Sequence, residues 1–171
     1  MEYIRAIRGH LDQISDAAVE GAASLIASAK SLHLFGNGGS AAICSHVSVD
    51  LTKACGLKAR TYHDSALLTC FANDYGYENA YAKIVEKFVA PEDCVVLISS
   101  SGMSLNILNA ASAAKQKGAS LVTLSGFLSD NGLRKFPCDQ HCYIPSDNYN
   151  VVETMHLIML LSVAEVLRLQ R

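Results

Sequence analysis

Tryptophan is absent from this sequence, proline occurs only three times in 171 residues, and only 18% of residues are charged. Long disordered tails and stiff extended linkers need more of both, so the chain reads as one folded unit over residues 1–171. The charges that remain nearly cancel, at a formal net of −2, and form no basic stripe. This excludes the electrostatic footprint of a nucleic-acid binder, and no nucleic acid is expected as a partner. Uninterrupted apolar runs are short, none near the ~20 residues that span a bilayer, so no membrane is expected either. The opening stretch MEYIRAIRGHLDQISDAA lacks an apolar signal core, which points to the cytoplasm. Neither a G-x-G-x-x-G fingerprint nor a loop ending in G-K-[ST] is present, which excludes the common dinucleotide and nucleotide loops. The six cysteines lie mostly within apolar segments rather than at framework spacings and are expected as reduced, buried thiols. Cys138, His141 and Cys142 have no second ligand pair at a matching distance, so they are not expected to form a metal site.

What the chain does have is apolar content, half of all residues, arranged in alternating periods. Helical spacing over residues 2–29, broken near Gly21, is followed by the short apolar run SLHLF (31–35), a buried strand. A helix over 40–54, a strand at KARTYH (58–63), and helical register to residue 88 come next. CVVLIS (94–99) is β-branched and apolar throughout, as a parallel strand covered on both faces should be. A helix over 104–117, strands at SLVTLS (120–125) and QHCYIP (140–145), and a long apolar helix over 150–169 complete the pattern. Strands alternating with helices predict a three-layer α/β/α domain around a parallel sheet.

In such sheets ligands bind where strands turn into helices. Two of those turns are unusual: GNGGS (36–40) and SSSGMS (99–104). Glycines let the backbone approach a ligand, serines add hydroxyl donors, and a following helix N-terminus adds positive partial charge. Together they suit a phosphate monoester.

The segments GNGGSAAICSH (36–46), DSALLTCFANDYGYENAYAKIVEKF (64–88), LISSSGMSLNIL (97–108), KGASLVTLSG (117–126) and VVETMH (151–156) resemble the sugar-isomerase (SIS) domain family, and within it the phosphoheptose isomerase branch. The likeness covers essentially the whole chain. It implies a flavodoxin-like, five-stranded parallel sheet and N-terminal helices (1–30) that contribute to oligomer packing. It also implies a homo-oligomer, usually a tetramer, with sites at subunit interfaces, a phosphorylated sugar as ligand, and a place in carbohydrate metabolism. Carried over by position, Asn37, Gly38, Gly39, Ser40, Asn73 and Asp74 contact the sugar, and Ser99, Ser100, Ser101 and Ser104 hold the phosphate.

The branch interconverts ketose and aldose phosphates through an enediol, which needs a base, an acid and a group that polarises the carbonyl. Its pattern supplies a His and a Glu four residues on, then a Gln and a His eight apart, four groups that can also bind zinc. Here those positions read His46, Asp50, Glu153 and Leu161. Asp50 is the expected base, with His46 or His156 as partner acid and Glu153 beside the substrate. His63 is a further candidate. His46, Asp50 and Glu153 are the expected ligands if one zinc ion is held per site. Leucine can neither ligate nor transfer a proton, which keeps a second reading open: a non-catalytic sugar-phosphate scaffold or regulator, resembling the SIS protein that binds the replication initiator. A transcriptional regulator is not expected, because 171 residues leave no room for a helix-turn-helix module and the N-terminal helices carry too few basic side chains for phosphate contacts.

Overall fold

Five short segments become the strands β1 (Leu32–Phe35), β2 (Ala59–Thr61), β3 (Cys94–Ser99), β4 (Ser120–Gly126) and β5 (Gln140–Ile144) of a computed structural model that describes residues 2–170, with the most apolar, β1 and β3, at its centre. They pair only in parallel, in the order β2-β1-β3-β4-β5. The chain builds outward from β1 to β2, then returns to the other side of β1 to start β3. That reversal makes the β1/β3 boundary the place where a doubly wound sheet opens a crevice for ligands. The register sets Phe35 beside Leu97, so the loops leaving β1 and β3 start side by side.

Alternation along the strands sorts the core into two layers. Leu32, Leu34, Val96, Ile98, Val122 and Leu124 pack beneath α2 (Asp16–Ser28), α3 (Gly39–Lys53) and α8 (Tyr149–Leu169). Phe35, Val95, Leu97 and Leu121 pack beneath α5 (Tyr77–Phe88) and α6 (Leu105–Lys117). The three-layer α/β/α architecture expected from the sequence is what forms. Outside these layers, α1 (Glu2–Leu11) lies on α8, with the Tyr3 hydroxyl 2.5 Å from Thr154 Oγ1, and α4 (Ser65–Tyr75) packs on α5. A single turn, α7 (Gly132–Lys135), follows β4.

One expectation is corrected. The N-terminal helical stretch breaks at residues 12–15, not near Gly21, because the Ser15 hydroxyl caps α2 by accepting from the Ala18 N–H (3.2 Å). Gly21 sits inside α2, where an added Cβ would come 2.6 Å from Gln140 Oε1. The final helix, although it has no unbroken apolar run, is by length and average composition able to cross a bilayer. In this fold Val152, Met155, Met159, Leu160 and Val163 bury it in the core instead.

Candidate functional site

The loops after β1 and β3 enclose a cavity of about 290 Å³ together with the first two turns of α8. Its walls are Asn37, Gly38, Gly39 and Ser40 on one side and Ile98, Ser99, Ser100, Ser101 and Ser104 on the other, with Tyr149 and Glu153 from α8. All four predicted phosphate serines and the whole Asn37–Ser40 turn thus meet in one place.

Why these loops are shaped for a ligand shows in what their helices lack. The side chains of Ser15, Asp64, Asn131 and Asn148 cap α2, α4, α7 and α8. At α3 and α6 the capping positions are Gly38 and Ser104, and neither provides a side-chain cap. Their positive dipole ends therefore face the cavity without a side-chain cap, although the Ser40, Ala41 and Ile107 N–H groups donate to the Asn37 and Ser104 carbonyls. Gly38 has φ +53°, a conformation that side-chain-bearing residues rarely adopt. Within the serine loop, Ser99 Oγ and Ser104 Oγ are 3.0 Å apart, and Ser101 Oγ accepts from the Met103 N–H (3.3 Å). Ser100 is buried, and among the described residues its hydroxyl has no partner. A buried hydroxyl without a hydrogen bond is costly and usually awaits a ligand or water.

Glu153 reaches back over the start of α3. A Cβ on Gly39 would collide with its carboxylate, so glycine there is what lets the carboxylate sit so close. Among the described residues Glu153 is the only carboxylate lining the cavity, and burial raises its pKa above the ordinary carboxylate value.

Other predicted residues are placed differently. Asn37 lines the cavity, but its side chain is largely spent: Oδ1 accepts from Tyr77 Oη (2.8 Å) and Asn106 Nδ2 (2.9 Å), while Nδ2 donates to Asn106 Oδ1 (2.9 Å). Asn73 and Asp74 do not line the cavity. They end α4 in solvent, Asn73 Nδ2 donating to Asp74 Oδ1 (3.0 Å). His46 and Asp50 form an exposed pair on α3, 3.3 Å apart, and Asp50 borders a separate groove of about 540 Å³ between α3 and α8 with Leu161. His156 is a correction as well. It is fully buried, donates from Nε2 to the Ser125 carbonyl (3.1 Å), and burial lowers its pKa to about 4. The i, i+3 spacing puts it near Glu153 in sequence but on the core side of α8, away from the cavity. His63, beside Ser45 and edge-on to Tyr81, also lies outside the cavity.

The expected zinc set does not fit. Among the described residues no three His, Cys, Asp or Glu side chains converge, and Glu153 turns to the serine cavity while His46 and Asp50 pair elsewhere.

Three functional positions escaped the sequence reading. Asn106 staples the β3 loop to the β1 loop, but two residues into a helix it looks like any helical Asn. Tyr77 supports the same staple from α5, with the NDYGY stretch as its only sequence signal. Tyr149 belongs to SDNYN (146–150), whose geometry periodicity does not reveal.

Known proteins resemble this chain in both sequence and fold. The SIS domain profile matches residues 2–126. A phosphoheptose isomerase of Helicobacter pylori (strain P12) is 38% identical over 131 residues, covering 73% of this chain and 67% of that protein. The phosphoheptose isomerase of Solidesulfovibrio magneticus is 35% identical over 150 residues, covering 84% and 72%. Among solved structures, the phosphoheptose isomerase of Neisseria gonorrhoeae superposes with a TM-score of 0.87 at 26% identity, covering 97% of this chain and 93% of that one.

Proposed function

The chain belongs to the SIS domain family, on its phosphoheptose isomerase branch, and from that premise we propose that it interconverts a ketose phosphate and an aldose phosphate through an enediol. One observation carries the binding half of this reading: Ser100, whose buried hydroxyl has no partner among the described residues, lines the same cavity as the starts of α3 and α6, two helices without side-chain caps. A phosphate there receives the serine hydroxyls and the positive end of α6. The sugar then lies along Gly38 and Gly39, within reach of Glu153.

The chemistry follows from Glu153, the one carboxylate that lines the cavity among the described residues of a chain. Glu153 takes a proton from carbon 1 of the ketose, and the electron pair left behind forms the C1–C2 double bond as the carbonyl oxygen O2 takes the hydroxyl proton of the adjacent O1. Return of the proton from Glu153 to carbon 2, as O1 becomes the new carbonyl oxygen, gives the aldose. The positive end of α3 stabilises the oxygen while charge builds on it. The pKa of Glu153, raised by burial, makes it a stronger base than an exposed carboxylate. The reading also includes a cytoplasmic homo-oligomer, a tetramer by the family resemblance. Asn73, Asp74, His46 and Asp50 are then the exposed polar groups available to a neighbouring copy's cavity.

Proton NMR of the protein with sedoheptulose 7-phosphate in heavy water tests this. Loss of a carbon-bound proton signal, or appearance of an aldose phosphate, is expected from the wild type. Glu153→Gln is expected to slow exchange by about a hundredfold or more, the scale of a lost general base, while sugar binding persists. Asp50→Asn is expected to keep most of the exchange. Line broadening on binding without any exchange replaces this reading with the non-catalytic scaffold, which Leu161 favours.

A further inference from the structure

We propose that the ring of Tyr149 is the surface on which the carbon chain of the bound sugar phosphate stacks, making Tyr149 the residue that distinguishes a sugar phosphate from bare phosphate. The inference rests on the function put forward above and deepens it.

Nearly everything else in the cavity is hydroxyl, backbone or carboxylate, and among the described residues Ile98 is the one aliphatic wall. Such groups hold a phosphate and sugar hydroxyls, but they offer little to the C–H-bearing face of a sugar. An aromatic ring supplies that complement, as a large, rigid apolar surface with few torsions to freeze on binding. Tyr149 lines the cavity and is still 57% exposed, so most of its surface stays wet until a ligand covers it. Removing apolar area from water on binding is favourable in proportion to the area covered.

The ring is also held in place before any ligand arrives. Phe127 meets it edge to face, with ring centroids 4.6 Å apart and planes at 66°. Phe127 is itself the one non-glycine with positive φ (60°) among the described residues, an unfavourable conformation for a bulky side chain. Two hydrogen bonds impose it: its N–H donates to the Ser146 carbonyl (2.9 Å), and its carbonyl accepts from Tyr143 Oη (2.7 Å). Backbone strain of this kind persists where the surroundings over-determine it, and it clusters at ligand sites. One residue before Tyr149, the Asn148 side chain accepts from the Asn150 and Val151 N–H groups and pins the start of α8. A wall fixed from both sides loses little freedom on binding, so contact with it adds directly to affinity.

The test is calorimetric titration of the full chain with inorganic phosphate and, separately, with sedoheptulose 7-phosphate, for wild type, Tyr149→Ala and Tyr149→Phe. Tyr149→Ala is expected to bind inorganic phosphate as the wild type does and the sugar phosphate roughly tenfold more weakly, the scale of one lost aromatic contact. Tyr149→Phe, which keeps the ring, is expected to stay within about twofold of wild type for both ligands. Tyr149 is exposed, and matching thermal melts for the three proteins check that the fold is intact. Three outcomes overturn the proposal: full sugar-phosphate affinity in Tyr149→Ala, equal losses for both ligands in Tyr149→Ala, or a loss in Tyr149→Phe as large as in Tyr149→Ala. A wild type that binds neither ligand overturns the phosphate assignment of the cavity itself, and the proposal with it.

Discussion

Leaving a buried hydroxyl unpaired costs a protein about 1–3 kcal/mol, and Ser100 bears such a hydroxyl at the cavity wall. Removing it therefore takes no hydrogen bond from the folded protein. Ser100→Ala is expected to leave the melting temperature unchanged or slightly higher while weakening inorganic phosphate binding about tenfold or more, since a hydrogen bond to a charged group is worth about 1.5–3 kcal/mol. Thermal melts alongside phosphate titrations check both halves. A fall in stability with no change in binding would show that Ser100 serves the fold alone. Asn37 shows the opposite economy at the same scale. Its amide is consumed by Asn106 and Tyr77, so its contribution to a ligand is a firmly held backbone more than a free side chain.

Side-chain caps are missing at α3, α5 and α6, and of these α3 and α6 start at the cavity while α5 starts from Gly76 outside it. The caps on α2, α4, α7 and α8 are ordinary Ser, Asp and Asn side chains, whereas α3 and α6 leave their amino ends to the cavity. Supplying a permanent anion at one of those ends should then stabilise the helix and block the site together. Ser104→Asp is expected to hold or raise stability by up to about 1 kcal/mol, as a carboxylate at an N-terminus does. The same variant is expected to lose measurable phosphate binding by titration calorimetry. Asn148→Ala, at a cap outside the phosphate cradle, is expected to cost about 1 kcal/mol in chemical denaturation with phosphate binding retained. A phosphate loss equal in both variants would mean that general loosening, not occupation of the anion site, is at work.

For the molecule as a whole, acid sensitivity follows from its buried imidazoles. Burial lowers the pKa of His156 and of His141 to about 4, and those of His33 and His63 also fall below the ordinary 6.5. For His33 the neighbouring Asp93 pulls upward, but desolvation outweighs it. A folded-state pKa below the unfolded one means that the unfolded chain binds more protons as the solution is acidified. The stability carried by these neutral rings is complete above about pH 6.5 and is lost as the pH falls from there toward 4. The fully buried His156 alone accounts for roughly 3 kcal/mol of that loss, at about 1.4 kcal/mol for each tenfold drop in its proton affinity on folding. Urea midpoints between pH 7.5 and 4 are expected to be flat and then to fall steeply. His156→Gln is expected to be less stable at neutral pH but shallower in its acid decline.

Periodicity alone determined much of this protein. Apolar runs alternating with helical spacing mark the central strands and the helices between them, because a strand buried on both faces must be apolar throughout, as CVVLIS is, whereas the edge strands β2 and β5 are only partly buried. Two loops with glycine and serine in unusual density marked the cavity, because local backbone freedom and hydroxyl donors are properties that a short stretch carries by itself. What lies across the chain was decided only by tertiary structure. Glu153 reaches Gly39, Asn106 reaches Asn37, and Phe127 meets Tyr149 because parallel strands and crossover helices bring distant segments to one sheet edge. The family pattern carried His46, Asp50 and His156 toward one site, and within one chain helical spacing did not decide where they face. A helix face names neighbours along its own axis, but which side faces the core, the groove or the cavity is set by the layers packed against it.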